Sequence, residues 1–279
     1  THVLDNGTYG RVIFIPGNWY ATESTGIQPA IDAADAGDNV YVDDGEYTEQ
    51  LNIGKNLSLI GSGAFNTTVL NAPEHLALSY TQDGRQVYAI VYAHDAENVN
   101  ISGFQINGST NADTFFNDSK RFVGVAYRNA GGTFSENWVK DILTTGNNAR
   151  SGFAFLGTDK IGSTNSILNI EDNTFSGFQK YGIALADSQM RATVTGNTIT
   201  GDKANVGTSQ SGIFVTSGAK ATIGGTDAAM DKNTISFTDI GVEFDGAGGN
   251  TAQNNALNNI DYGFVVKNSA GTQLLGNTM

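Results

Sequence analysis

Two short landmarks recur along the chain and constrain its fold more than any other feature. The first is Asn-Thr followed by an apolar residue, and it begins at Asn173, Asn197, Asn233 and Asn277, with a weaker Asn-Ala-Leu at Asn255. The second is Gly followed by alternating apolar residues, and it begins at Gly124, Gly152, Gly182, Gly212, Gly241 and Gly263. One repeat of ~22 residues without helices is too short to bury its own apolar face. The pattern therefore predicts a solenoid of stacked parallel strands.

Alternation inside each repeat predicts which side chains form the core. Successive side chains of a strand point to opposite faces, so the apolar residues at every second position face one way. This reasoning places three pairs of residues inside the solenoid, namely Ile183 with Leu185, Ile213 with Val215, and Phe264 with Val266. The recurring Asn is expected to form a ladder, in which each side-chain amide bonds to the next coil at a turn. The alternative is that Asn only marks loops.

The N-terminal part lacks the repeat. Residues 24–37 carry apolar side chains on one stripe and predict a short amphipathic helix. Such a helix would cover the open strand edge at the end of a solenoid. Short strands are expected from then on, the first at residues 39–42, 51–53 and 57–60. The chain stops inside a coil without a second cap, so we expect one domain over 1–279, with coils at 38–279, in a longer protein with other domains.

Charge and composition exclude several classes of partner. The chain has 28 Asp and Glu against 15 Lys and Arg, a formal net charge of −13. Such a chain repels phosphate backbones, so we expect no nucleic acid partner. No apolar run approaches the ~20 residues that a membrane-spanning helix needs, so we expect no membrane insertion. The absence of cysteine excludes disulfides and thiolate metal sites.

Four segments near the start carry a family resemblance. They read Ile31-Asp-Ala-Ala, Gly37-Asp-Asn-Val-Tyr-Val42, Gly45-Glu-Tyr-Thr-Glu49 and Lys55-Asn-Leu-Ser-Leu-Ile-Gly61. Together with the landmarks, they resemble the right-handed parallel β-helix repeat proteins of the pectin lyase-like superfamily. The resemblance implies an all-β, single-stranded right-handed parallel β-helix. It also implies a secreted or cell-surface bacterial protein that engages polysaccharide.

The resemblance does not select an activity, since the catalytic motifs of the related enzymes are absent. The chain has neither Gln-Asp-Thr-Leu-Tyr nor Asp-Phe-Ile-Phe-Gly of pectin methylesterases, nor Arg-x-Pro-Arg of pectate lyases, nor Asp-Pro-His-Glu of mannuronan epimerases. Two hypotheses follow. The chain is a surface module that engages polysaccharide without a complete catalytic signature, or it is a polysaccharide lyase or related uronate-acting enzyme.

The basic residues of the middle coils are the candidates for a lyase groove. Residues 120–160 hold six Lys and Arg against three Asp and Glu. A uronate lyase needs a base for the proton α to the carboxylate and a cation to neutralise that carboxylate. Arg128, Lys140 and Arg150 are the candidate catalytic residues. The candidate substrate-binding residues are Lys120, Arg121, Tyr127 and Trp138, with Tyr80 and Tyr92 as further stacking rings. The alternative is that these are solvated charges and core aromatics.

Carboxylates in the later coils predict a Ca²⁺ site. Counting from the Gly landmark puts Glu243 and Asp245 on the outward face of one strand, with Asp187 nearby. Oxygen ligands of this kind suit Ca²⁺. The alternative is that they are ordinary solvated charges. The same count aligns Gly152 with Gly124 on the neighbouring strand. It therefore places Leu156, which follows Gly152 by four residues, beside Arg128, which follows Gly124 by four.

Overall fold

A computed structural model of the chain describes residues 15–63, 67–144, 151–159, 167–203 and 209–279, and its strands form three sheets. With strands numbered in chain order, sheet A contains β1 Asn18–Ala21, β2 Asn39–Val42, β5 Leu57–Gly61, β9 Val99–Ser102, β12 Gly132–Ser135, β15 Ile167–Glu171, β18 Arg191–Thr195, β21 Lys220–Ile223, β24 Thr251–Gln253 and β27 Gln273–Leu275. Sheet B contains β3 Gly45–Thr48, β6 Thr68–Asn71, β10 Gln105–Asn107, β13 Trp138–Ile142, β16 Thr174–Phe178, β19 Thr198–Thr200, β22 Thr234–Ser236 and β25 Ala256–Asn258. Sheet C contains β4 Leu51–Ile53, β7 Tyr80–Gln82, β8 Arg85–Ala96, β11 Lys120–Ala130, β14 Phe153–Thr158, β17 Tyr181–Ala186, β20 Ser211–Thr216, β23 Ile240–Asp245 and β26 Tyr262–Lys267.

The chain visits the three sheets in turn, which makes it a parallel β-helix. From β2 onward it passes from sheet A to B to C and back to A, and each strand pairs in parallel with the strand one coil away. Only β7 departs from this path, since it pairs antiparallel with β8. Connections between parallel strands are right-handed in nearly all proteins. The predicted single-stranded right-handed parallel β-helix is confirmed.

Inward side chains of the three sheets form the core. Ile183, Leu185, Ile213 and Val215 have no exposed surface, as the alternation predicted. Val266 occupies the same register position but is 46% exposed, because β26 has a strand on one side only among the described residues.

The predicted asparagine ladder is present. Asn197 donates from Nδ2 to Oδ1 of Asn233, and Asn173 donates in the same way to Asn197, both at 3.0 Å. The series comprises the buried amides of Asn137, Asn173, Asn197, Asn233 and Asn255, and it ends at the partly buried amide of Asn277. Each amide also bonds the backbone at the turn, so the ladder satisfies polar groups that the coil would otherwise leave unpaired.

The glycine landmark marks a place where the backbone lies too close for a side chain. A Cβ on Gly182 would lie 2.6 Å from the carbonyl oxygen of Gly212 and 2.7 Å from a methyl group of Ile199. Strand pairing shows that the alignment of Gly152 was wrong by two residues. Ala154 takes the position of Gly182, so Thr158, and not Leu156, lies beside Arg128.

The N-terminal helix is shorter than predicted and comprises α1 Gln28–Ala33. The Glu49 carboxylate accepts hydrogen bonds from the backbone N–H groups of Ile27 and Gln28 and fixes its start. Strand β1 precedes the helix and pairs with β2, so the coils begin before residue 38, contrary to the predicted boundary. The role of the helix as an end cap stays a prediction. At six residues, this one helix of the described chain is far too short for a membrane crossing.

Candidate functional site

A β-hairpin lies over the outer face of sheet C. Its turn is Asp83-Gly84, and both residues have positive φ, 50° and 73°, as a two-residue type I′ turn requires. Its first strand, β7, brings Tyr80 onto the sheet, where the ring stacks on Tyr92 with centroids 5.2 Å apart. The Tyr80 hydroxyl lies 3.2 Å from Oγ1 of Thr158 on β14. The hairpin is therefore anchored on strands of different coils.

Gln82 ties the hairpin to β11 and to the residue that follows β17. Its Nε2 donates to Oδ2 of Asp187 at 2.6 Å, and its Oε1 accepts from Nε of Arg128 at 3.2 Å. The Arg128 guanidinium also lies over the Tyr80 ring, 5.0 Å from its centroid. Arg128 thus holds the hairpin in place.

The main cleft, of about 610 Å³, lies between this hairpin and the outer faces of β14, β17 and β20. Its floor is aromatic. Tyr181 and Phe214, on successive coils, stack with centroids 4.7 Å apart and are both partly exposed. Phe153 packs edge-on against Tyr181 at 4.8 Å. Aromatic side chains are common in the lining of small-molecule sites.

Charged side chains line the main cleft around this floor. They are the cations Arg85, Arg121 and Lys180 and the carboxylates Asp83, Asp118, Asp187 and Asp245. Arg121 lies over the Phe153 ring at 5.0 Å, and its buried Nε has no hydrogen-bond partner among the described residues. Burial, and next the charge of Arg85, lower the pKa of the Arg121 guanidinium. The cleft therefore offers fixed positive and negative groups to one ligand.

Asp187 lines the main cleft, and the pKa of its carboxyl is shifted from the ordinary value. Burial raises its pKa above the ordinary value of 3.8, against the hydrogen bond from Gln82, which lowers it; the nearby charge of Asp83 adds to the rise. A carboxyl group that keeps its proton to a higher pH is suited to donate a hydrogen bond or a proton to a ligand oxygen.

The second cleft, of about 530 Å³, lies on the other side of Tyr80. Its rings are Tyr92 and His94, stacked with centroids 4.6 Å apart. His94 Nδ1 is 3.0 Å from Oδ2 of Asp95, and Arg128 lines the same cleft. Tyr80 lines both clefts and separates them.

Two of the three predicted catalytic residues, Arg128 and Lys140, do not lie in one site. Arg128 is engaged with the hairpin, while Lys140 lies on β13 of sheet B, where its Nζ is 3.2 Å from the Asp141 carboxylate. Arg150 lies outside the described residues. The prediction failed because successive basic residues fall on different sheets of one coil.

The predicted substrate-binding residues do not lie together in one site either. Tyr127 is fully buried and donates its hydroxyl to the Val99 carbonyl oxygen at 3.1 Å, so its assignment to a ligand was wrong. Trp138 lies on sheet B, where its Nε1 donates to Oγ of Ser176. Lys120 lies over Phe115 and is not part of the main cleft. Only Arg121 lines that cleft.

The predicted Ca²⁺ ligands are not brought together. Asp187 and Asp245 line the main cleft, but Glu243 accepts a hydrogen bond from Ser211 Oγ at 2.9 Å and pairs with Lys267 Nζ at 3.2 Å. Among the residues that the structure describes, no three His, Cys, Asp or Glu side chains are placed to hold a metal ion. The prediction treated the Glu243 carboxylate as free, although the neighbouring coils supply its partners, Ser211 and Lys267.

Several cleft residues were missed at the sequence level. They are Arg85, Lys180, Tyr181 and Phe214. The Asp83-Gly84 pair, between short alternating segments, was the available signal for the hairpin. No pattern pointed to Tyr181 and Phe214, because they stack only after two coils of different loop length are aligned.

Comparison with protein families identifies a matching family. The sequence profile of the family described as "NosD: Periplasmic copper-binding protein (NosD)" matches residues 78–279. Comparison with the curated proteins gives no match.

Comparison with solved structures returns carbohydrate-acting β-helix enzymes. The catalytic domain of GH87 α-1,3-glucanase in complex with nigerose, and its D1069A variant with the same ligand, each share 14% identity with a TM-score of 0.52. Each alignment covers 97% of this chain and 47% of the other, so the chain spans about half the length of the glucanase domain. A pectin methylesterase in complex with a hexasaccharide follows at 13% identity and a TM-score of 0.41, covering 88% of this chain and 63% of that one. At 14% identity and a TM-score of 0.52, the likeness to the glucanase domain shows the fold alone.

Proposed function

The chain belongs to the NosD family, described as periplasmic copper-binding protein, and from this premise we propose that it is an exported β-helix protein that binds polysaccharide in the main cleft. The observation that carries the proposal is the pair of partly exposed rings, Tyr181 and Phe214, surrounded by fixed charges. Its place of action is the periplasm or the cell exterior.

The cleft chemistry suits a sugar chain that contains uronates. The C–H face of a pyranose is apolar and packs on an aromatic ring, while its hydroxyls need donors and acceptors at the ring edge. Arg121 and Lys180 lie over Phe153 and Tyr181, so their charges are close to the floor. A guanidinium so placed forms charge-assisted hydrogen bonds with a carboxylate. A partly desolvated cation gains more from such a partner than one in bulk water.

Copper, which the family description names, does not fit the described residues. Copper sites in proteins use His, Cys and Met ligands. The chain has no cysteine, and His75 and His94 are bonded to different aspartates, Asp113 and Asp95. No group of three His, Cys, Asp or Glu side chains is placed to hold a metal ion in the described ranges. The proposal therefore includes no copper chemistry.

Calorimetric titration with tetrasaccharides of galacturonate, mannuronate and α-1,3-linked glucose tests the proposal. We expect the uronate tetrasaccharides to bind more tightly than the neutral one. Tyr181→Ala should weaken binding about tenfold, since an aromatic contact contributes ~1 kcal/mol or more. Tyr262→Ala is the matched control, because Tyr262 has the same register position three coils away, is 65% exposed and lies outside the cleft. Absence of binding, or equal loss in both variants, would contradict the proposal.

The burial and the lowered pKa of Arg121 favour a second candidate function, that of a uronate lyase. Its lowered pKa gives it a larger deprotonated fraction than an ordinary arginine has, and the neutral form is the one that can act as a base. In that reaction the base removes the proton on the carbon α to the carboxylate, the bond to the leaving sugar oxygen breaks, that oxygen takes up a proton from solvent, and a double bond forms in the uronate. Lys180 would neutralise the carboxylate. Ultraviolet absorbance of the unsaturated product, measured with polygalacturonate and alginate, tests this; no absorbance with either substrate leaves the protein a binding module.

A further inference from the structure

We propose that the main cleft receives the end of a polysaccharide chain and excludes internal segments, because the hairpin closes the cleft on one side. The proposal rests on the proposed carbohydrate binding and adds a specificity to it. It is carried by the barrier, which we define as the side chains of Tyr80, Gln82 and Arg128.

The barrier stands between the two clefts. Tyr80 lines both, is only 8% exposed, and packs on the Tyr92 ring and under the Arg128 guanidinium. These contacts fill the space through which a sugar chain would pass from the main cleft to the second cleft. An open groove of a polymer-binding solenoid would run across the coils without such an interruption.

The barrier is fixed at several points. Tyr80 contacts Thr158, Gln82 donates to Asp187, and Arg128 donates to Gln82. The three contacts join the hairpin to β11, to β14 and to the residue after β17, which are three successive strands of sheet C. Opening the passage would break all of them, so thermal motion of one side chain does not open it.

The polar groups beside the barrier suit a terminal sugar. The Asp187 carboxylate lies at the barrier, and Asp83 at the hairpin turn lines the same side of the cleft. A chain end carries a free hydroxyl where an internal unit carries a glycosidic oxygen and a further sugar. Carboxylates accept hydrogen bonds from that hydroxyl, while the further sugar would meet Tyr80.

The other side of the cleft remains open. Thr216, Ser217 and Asp245 line it on the following coils, and beyond them Tyr262 on β26 is 65% exposed. The rest of a bound chain therefore leaves over Phe214 along these coils. Binding is directional in this arrangement, with the terminal unit at the barrier.

Titrations at equal sugar mass test the inference. The protein is titrated with tetragalacturonate and with long polygalacturonate, and the molar binding capacity is measured by calorimetry. If ends are recognised, capacity follows the number of chain ends, and the polymer binds far less protein per unit mass. Equal capacity per unit mass would overturn the inference and leave the proposed function standing. No binding of either probe would overturn the proposed function, and the inference with it.

Variants of the barrier provide the second readout. Gln82→Ala combined with Tyr80→Ala should raise the capacity of the polymer toward that of the tetrasaccharide, because internal segments gain a passage. Since Tyr80 is buried, Gln82→Ala alone is measured as well, after circular dichroism and thermal unfolding establish that each variant is folded. Tyr20→Ala, on an exposed ring of sheet A, is the control. Folded variants that retain the wild-type capacity ratio would contradict the role of the barrier.

Discussion

Gln82 and Asp187, 105 positions apart in the sequence, are joined by a hydrogen bond of 2.6 Å from Nε2 to Oδ2. The bond fixes the hairpin against the outer face of sheet C and at the same time occupies the Asp187 carboxyl, whose pKa is raised by burial. The stability of the barrier and the protonation of Asp187 are therefore linked, and pH tests the linkage.

Asp187→Asn should stabilise the protein relative to the wild type as pH rises. Burial raises the pKa of Asp187 in the folded state above its ordinary value of 3.8. Below pH 3.8 the carboxyl is protonated in both the folded and the unfolded state, so it does not change the free energy of unfolding. As pH rises, the unfolded state releases its proton first, and the wild type loses stability until the folded state is also deprotonated. Urea unfolding of both proteins at about pH 3 and about pH 7 measures the difference between their free energies of unfolding. A difference that does not grow with pH would contradict the burial of the Asp187 carboxyl.

Asp38→Asn should show the opposite trend. Trp19 donates its Nε1 proton to the Asp38 carboxylate at 2.8 Å and lowers the pKa of that group. The stabilisation is present above the unfolded-state value and is lost as pH falls through the folded-state pKa. The variant should therefore lose stability relative to the wild type between about pH 3 and about pH 7. Trends of the same sign in both variants would indicate a global charge effect.

Asn197→Ala should destabilise the protein by about 3 kcal/mol or more. The amide is fully buried, donates to the Ile170 carbonyl and to Asn233, and accepts from Asn173. Removing it leaves several buried groups without partners, each at a cost of ~1–3 kcal/mol. Asn258→Ala, at an exposed position of β25, should stay within about 0.5 kcal/mol. Guanidinium unfolding measures both, and similar values would mean that the ladder does not stabilise the coils.

Ile213→Ala and Thr216→Ala compare the inside and the outside of one strand. Ile213 is fully buried in β20, and its truncation should cost about 2–5 kcal/mol. Thr216 lies on the outer face and should cost no more than about 0.5 kcal/mol. Equal midpoints in denaturant unfolding would contradict the assignment of the two faces.

The fold was predictable because every coil has to bury its apolar side chains and pair its buried amides in the same way. Asn197 and Ile213 recur at equivalent positions in other coils, so their roles follow from the sequence period alone. Gly152 shows the limit of this reasoning. A glycine occurs two residues before the close-contact position, which Ala154 fills, and only the strand pairing reveals the shift.

The site was less predictable because it depends on features that do not repeat. Lys140 and Arg128 are 12 positions apart, and that distance carries them to different sheets of one coil. Tyr181 and Phe214 meet only when two coils are in register, and the hairpin that encloses them occurs once in the described chain. Composition located the basic region, but the geometry selected only Arg121 from it.

Arg121→Ala and Lys180→Ala should each weaken uronate tetrasaccharide binding about tenfold, whereas Lys140→Ala should leave it unchanged. Arg121 and Lys180 lie over the aromatic floor of the main cleft, and a hydrogen bond to a charged group contributes ~1.5–3 kcal/mol. Lys140 carries the same charge on sheet B, outside the cleft, and controls for the net charge of the protein. Calorimetry at low and high salt separates contact from long-range attraction, since salt screens only the latter effectively. Equal weakening by all three variants would place uronate recognition in the overall field of the solenoid and outside the cleft.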